Sequence, residues 1–218
     1  MDGLGMASLT AREAMVASQL RPAGVNMPPL LAAILDVPRE RFVPPERAGV
    51  AYMDRPVELG GGREINSPDV TSLMLNALVP QPGERALVVG AATGWSAAVL
   101  ARMGCQVVAL EQDRGLVARA REALVGIAVE LASGPLAEGH SAGAPYDLIL
   151  IDGAVAFLPD ALAQQLAPGG RLAAVLAEEG ATRLVLGRRT GEAFGVQAFA
   201  DGTASFLPGF ARPRAFQF

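Results

Sequence analysis

The chain has 218 residues, 51% of them hydrophobic, which is material for one domain with an elaborated end and a sizeable core. Only 18% are charged, the net charge is −4, and no Lys/Arg run is long enough to form a nucleic-acid track. One Cys and one His exclude an internal disulfide and a Cys/His zinc cluster, and no apolar run reaches the roughly 20 residues of a membrane-spanning helix.

Residues 1–8 read as a loose leader without the basic and apolar regions of a signal peptide, which together with the lone thiol, Cys105, points to a cytoplasmic protein. Thr10 is placed to N-cap a helix over 11–19, with Glu13 as its capping-box partner. Pro28 and Pro29 open a second helix over 30–35, stopped ahead of Pro38. Phe42-Val43-Pro44-Pro45 breaks the chain again, residues 46–59 predict a short helix and an extended piece, and Gly60-Gly61-Gly62 predicts a flexible turn. Ser67 followed by Pro68 starts a helix to about Leu78.

Beyond the turn Pro82-Gly83-Glu84-Arg85 the pattern changes. Apolar runs at Ala86–Val89, Gln106–Leu110, Val129–Ala132, Tyr146–Ile151 and Arg171–Leu176 read as strands, and Trp95–Met103, Asp113–Val125 and Pro159–Leu166 read as helices. The alternation predicts an α/β fold from about Ala86 to Arg189, a doubly wound and mostly parallel sheet with right-handed crossovers. Two further runs, Arg183–Arg189 and Gly195–Ala200, are joined by Thr190-Gly191-Glu192 and predict a hairpin that makes one edge antiparallel. The chain thus divides into an N-terminal helical addition, residues 1–80, and a Rossmann-like domain, residues 81–218.

Gly90 and Gly94 sit in the first strand-to-helix turn of that domain, where bare backbone lets a ligand approach the start of the following helix. Glu111 ends the next strand, 21 residues after Gly90, where an open α/β sheet places a carboxylate that accepts hydrogen bonds from ribose hydroxyls. Turn, spacing and acidic strand end together point to a nucleoside-containing cofactor; the alternative is a tight turn beside a solvated Glu. The short G-x-x-x-G form has no pyrophosphate to cradle and favours S-adenosylmethionine over NAD. Trp95 follows the turn and either flanks the cofactor or packs in the core. Asp152 ends the fourth strand, whose carboxyl end faces the cleft, so it binds an amine there or is simply solvated. A single carboxylate without partner ligands gives no metal site. His140, in a Gly/Ser/Ala loop, is expected at the surface.

The segments Met15–Pro22, Val37–Pro44, Ala51–Pro56, Ile65–Pro68, Pro82–Ala101, Ala144–Asp147 and Leu166–Leu172 resemble the protein-L-isoaspartate (D-aspartate) O-methyltransferases, in order, from about residue 12 to 177. The resemblance implies a methyltransferase fold with an N-terminal helical addition carrying the acceptor-side loop, S-adenosylmethionine as donor, and isoaspartyl carboxylates of damaged proteins as acceptor. Gly90, Ala92, Gly94, Trp95, Glu111 and Asp152 then make the cofactor side. Asn66 and Ser67 make the catalytic, acceptor side, because the serine of the family's Ile-Ser-x-Pro maps onto Asn66, with Ser67 one place on. Other departures are Ala92 for the middle glycine of the turn, Val88 for the acidic residue before it, and Pro135 for an Asp after the third strand.

Methyl transfer to a carboxylate, ionised above a pKa near 4, needs no general base; it needs alignment and a few fixed donors. Asn66 can give one through its amide or can bond its own backbone, and Ser67 can give another or serve as a helix N-cap, which Pro68 favours. The departures leave room for a different acceptor, or for a non-catalytic binding module on the same fold. Phe206, Phe210, Phe216 and Phe218 are expected to cover the sheet edge or fill a seam, with Arg212 and Arg214 solvated; no nucleic-acid or membrane partner is expected, and no pattern speaks to oligomeric state.

Overall fold

The structure, a computed structural model, describes residues 3–178 and 180–211, with residues 3–7 described by backbone alone. Helix α1 (Gly3–Met15) continues through a π-helical turn to Leu20 and is followed by α2 (Pro28–Asp36) and 3-10 turns at Arg39–Phe42 and Pro45–Val50. A small antiparallel hairpin of β1 (Val57–Gly60) and β2 (Arg63–Ile65) comes next, then α3 (Pro68–Leu78). The alternating part runs β3 (Arg85–Val89), α4 (Trp95–Arg102), β4 (Gln106–Glu111), α5 (Arg114–Ala123), β5 (Val129–Ser133), β6 (Tyr146–Val155), α6 (Asp160–Gln164), β7 (Leu166–Glu178), β8 (Ala181–Thr190) and β9 (Ala193–Asp201).

Two local expectations are corrected. Residues 3–8 are the first turns of α1, not a leader, and Thr10 lies inside the helix instead of capping it. Tertiary bonds hold those turns down. Ser8 Oγ donates to Glu40, the Arg12 guanidinium donates to Leu35 O and, at 3.0 Å, to Tyr52 Oη, and Met15, Val16 and Leu20 are buried. Ser67 does occupy the N-cap position of α3, in extended conformation, but its side chain makes no capping bond.

The main sheet has strand order β5-β4-β3-β6-β7-β8-β9. Strands β3 to β7 are parallel to one another, while β8 pairs antiparallel with both β7 and β9, as the hairpin pattern predicts. Alternation along β3 divides the core. Val88 packs among α2, α3, α4 and α5 on one face; Leu87 and Val89 pack on the other, with Leu162 of α6, Leu136 and Phe210. Arg171 of β7 fastens the end of α3 to the sheet, donating to Leu78 O, to Val79 O at 2.9 Å and, through both terminal nitrogens, to Glu84 at 2.8 Å. No helix among the described residues is long and apolar enough to cross a membrane.

The chain direction across the sheet reverses at β3, whose neighbours are β4 and β6, so the crevice at a topological switch point opens at the carboxyl ends of these strands. A strap after β9 lies over that crevice: Ala154 N–H donates to Ser205 O, and Leu207 N–H to Ala154 O, both at 2.9 Å. Phe210 is fully buried with its ring 6.3 Å from that of Phe157, so it fills a seam as expected, whereas Phe206 is 59% exposed. Arg212, Arg214, Phe216 and Phe218 lie outside the described residues.

Candidate active site

The turn after β3 is left-handed at three positions, with φ of 72° at Gly90, 51° at Ala92 and 97° at Gly94. For Ala92 this conformation costs on the order of 1 kcal/mol. Its N–H donates 2.9 Å to Glu111 Oε2, a bond that fixes the turn on the end of β4.

Glu111 is fully buried. Besides Ala92 it accepts from Gln112 N–H at 2.9 Å and Asp113 N–H at 3.0 Å. Its two oxygens also take a parallel pair from Arg63 on β2, Nη1 to Oε1 at 2.8 Å and Nη2 to Oε2 at 2.9 Å. A buried carboxylate needs such saturation, since an unpaired one would cost several kcal/mol. The carboxylate expected to await ribose hydroxyls is thus engaged by a guanidinium.

The bare backbone of the turn is also covered. A Cβ on Gly90 would lie 2.7 Å from Leu207 Cδ1, and one on Gly153, at the end of β6, 2.6 Å from Leu207 Cγ. Beside these contacts is a cavity of about 590 Å³ whose lining includes Gly61, Gly62, Arg63, Gln112, Phe206 and Leu207.

Asn66 and Asp152 meet directly: the Asn66 amide donates 2.8 Å to Asp152 Oδ1, which also accepts from Thr71 Oγ1 at 2.9 Å. Asp152 is therefore not merely solvated, and Asn66 does not spend its amide on its own backbone. Ser67, 7% exposed, follows in the same loop. The loop is anchored from below by Arg39, which is fully buried and donates to Asn66 O and, at 2.8 Å, to Ala51 O. Its guanidinium stacks 4.4 Å from the Trp95 ring centroid. Burial lowers the Arg39 pKa to about 10, against the charges of Asp152, Tyr52 and Asp69, so it remains a cation at neutral pH. Trp95, 1% exposed, thus packs as the floor for Arg39.

Four residues that matter to this geometry escape the sequence pattern: Arg39, Arg63, Thr71 and Leu207. Arg39 lies in the Val37–Pro44 run, which could have pointed to it; Arg63 reaches Glu111 across 48 positions and Leu207 comes from beyond the last strand, with no local signal for either. His140 is partly exposed with Nε2 4.0 Å from Glu130. Among the described residues no group of three or more His, Cys, Asp or Glu is arranged to hold a metal ion.

The parallel core with an antiparallel edge, and the glycine turn and acidic strand end at its switch point, define the S-adenosylmethionine-dependent methyltransferase fold. Solved structures agree. A protein-L-isoaspartate O-methyltransferase superposes with a TM-score of 0.80 at 23% identity, over 91% of this chain and 66% of that one. A Plasmodium falciparum protein-L-isoaspartate O-methyltransferase, in complex with S-adenosyl-L-homocysteine, superposes with a TM-score of 0.77 at 20% identity, over 90% and 96%. The sequence profile of the protein-L-isoaspartate (D-aspartate) O-methyltransferases matches residues 11–207, and the chain belongs to that family. The protein-L-isoaspartate O-methyltransferase of Methylorubrum populi is 44% identical over 201 residues, covering 91% of this chain and 94% of its own. That of Methanoregula boonei is 38% identical over 164 residues, covering 74% and 76%.

Proposed function

We propose that the protein is an S-adenosylmethionine-dependent carboxyl O-methyltransferase that methylates isoaspartyl carboxylates of damaged proteins in the cytoplasm. In this reading residues 81–218 carry the cofactor and residues 1–80 the acceptor side. The observation that carries it is the gathering of the Gly90–Gly94 turn, Glu111 and the Asn66–Asp152 pair at the carboxyl ends of adjacent strands β3, β4 and β6, in a chain of this family.

The residues fit the cofactor in kind. Glu111 presents two acceptor oxygens that already bind two parallel donors from one planar group, the number a ribose diol offers. Gly90 lacks the Cβ that would fill the surface of the turn. When bound, S-adenosylmethionine supplies an electrophilic methyl group on a sulfonium. Glu111 takes the ribose hydroxyls, the backbone of Gly90, Ala92 and Gly94 with the start of α4 at Trp95 forms the adjoining wall, and Asp152 receives the ammonium group. Asp152 Oδ1 is held for this by Asn66 and Thr71.

The acceptor is already ionised, so these side chains align it and remove no proton. The Asn66 amide nitrogen gives one hydrogen to Asp152 and carries a second, which we assign to an acceptor oxygen, with Ser67 beside it. The test is transfer of labelled methyl from S-adenosylmethionine to an isoaspartyl peptide. Turnover no greater than with the normal aspartyl peptide, under conditions where S-adenosylhomocysteine binds, would overturn the isoaspartyl assignment.

A further inference from the structure

Arg63 and Leu207 stand where the proposed function needs a cofactor, and the surrounding contacts make this more than two side chains filling space. Arg63 opens β2 directly after Gly60, Gly61 and Gly62, all left-handed with φ of 91°, 62° and 74°, so the hairpin that carries it turns on three residues with little torsional restraint. The next residue, Glu64, accepts a hydrogen bond from Ser205 Oγ, which ties β2 to the strap. Ser205 and Leu207 in turn pair with Ala154 at the end of β6, and Leu207 rests on Gly90 and Gly153. Hairpin and strap therefore close over the ends of β3, β4 and β6 as one joined cover. Besides the Ala154 bonds to β6 and a bond from Arg119 to Leu59 O, a charged fork, Arg63 on Glu111, holds the cover to the end of β4, with side chains 9% and 0% exposed.

We infer that Arg63 is a built-in occupant of the ribose seat on Glu111, so that cofactor binding is an exchange in which the guanidinium leaves as a nucleoside diol arrives. The inference rests on the cofactor reading above. The two ligands compete for the same pair of oxygens. Glu111 keeps its three backbone N–H donors in either state, and it is the Arg63 pair that must be given up. Arg63 moves out on the glycine hinge, and the cavity lined by Gly61, Gly62 and Phe206 lies beside its path. Affinity for the cofactor is then set partly by a residue that never touches it, and the protein rests closed until cofactor is present.

The experiment is calorimetric titration of S-adenosylhomocysteine into the full chain and into Arg63→Met, each shown folded by its melting curve. Removing the competitor should tighten binding about tenfold to a hundredfold, the scale on which a buried charged fork acts. Binding by folded Arg63→Met that is equal to or weaker than wild type overturns the role of Arg63 and leaves the cofactor reading standing. Absence of binding in both folded proteins overturns the two together. If Arg63→Met does not fold, wild type labelled at arginine nitrogen decides: the Arg63 Nη–H groups that bond Glu111 must lose their protection against exchange as S-adenosylhomocysteine is added. Protection unchanged in the bound protein overturns the inference.

Discussion

Replacing Arg39 with Met tests whether the acceptor loop stands on a buried cation. Arg39 donates to two carbonyl oxygens, of Ala51 and Asn66, and stacks on Trp95, all without solvent contact. A hydrogen bond from a charged donor contributes about 1.5–3 kcal/mol and a desolvated cation–π contact about 2 kcal/mol. Against their sum stands the desolvation of the guanidinium, several kcal/mol, which Met does not incur. Met leaves both carbonyls buried without donors, and the carboxylates of Asp152 and Asp69 lose the cation whose field they share. The net loss should be about 2–6 kcal/mol, about 1–3 for each of the two carbonyls left buried without a donor. In urea denaturation with a slope of about 2 kcal/mol per molar, the midpoint falls by roughly 1–3 M at unchanged slope. Arg39→Lys keeps the charge but not the planar fork and should recover less than half of that loss. A Met variant within about 1 kcal/mol of wild type would refute the reasoning, because the two carbonyls and the stacked ring would then not depend on the cation.

Glu111→Gln strands the Arg63 charge and should destabilise by about 3–5 kcal/mol, while the double variant with Arg63→Met loses clearly less than the sum of the two singles in a denaturation cycle; strict additivity would deny the pairing. Ala92→Gly relieves a left-handed alanine and should raise stability by a few tenths to about 1 kcal/mol, read as a higher melting temperature. Burial opposes the charge on Glu40, but hydrogen bonds from Ser8 and Tyr52, with its own backbone N–H and Arg12, hold its pKa below the ordinary 4.5. Its share of stability is therefore complete above about pH 5 and lost as the pH falls through the depressed value, and Glu40→Gln should flatten the urea midpoint against pH in that window. Burial pushes the Cys105 thiol up to about 11, so a chromogenic disulfide reagent should leave it unmodified at about pH 8 until urea unfolds the chain.

What could be read in the sequence follows the range of the interactions. Strands β3, β4, β6 and β7 announce themselves because parallel strands buried on both faces read as apolar runs, and the β8–β9 hairpin because its turn sits between two strand-like runs. The glycine turn and Glu111 are separated by one strand–helix–strand unit, so their spacing carries the signal. Helix α1 starts before Thr10 because Ser8 and Arg12 bond to Glu40, Leu35 and Tyr52, partners that no local capping pattern reveals. Strands β1 and β2 have four and three residues around a glycine run, too few for alternation to show. The occupancy of Glu111 was hidden for the same reason: Arg63 reads as one more surface charge until the hairpin folds it onto the end of β4. Asn66 was legible by position, yet its partner Asp152 is 86 residues away, and only the sheet brings them together.

Leu207 rests on Gly90 and Gly153 at once, and this makes three distant positions a single steric unit. Neither glycine can take a side chain without Leu207 shifting, but a smaller residue at 207 relieves only that part: Gly90 keeps a φ of 72° that side chains avoid, and a Cβ on Gly153 would still lie 3.0 Å from Ser205 O. Related chains should therefore hold glycine at 90 whatever stands at 207, and admit a side chain at 153 only together with a small residue at 207. The history of the cleft would be written in that linked substitution even though the strap and the two strand ends share no stretch of sequence.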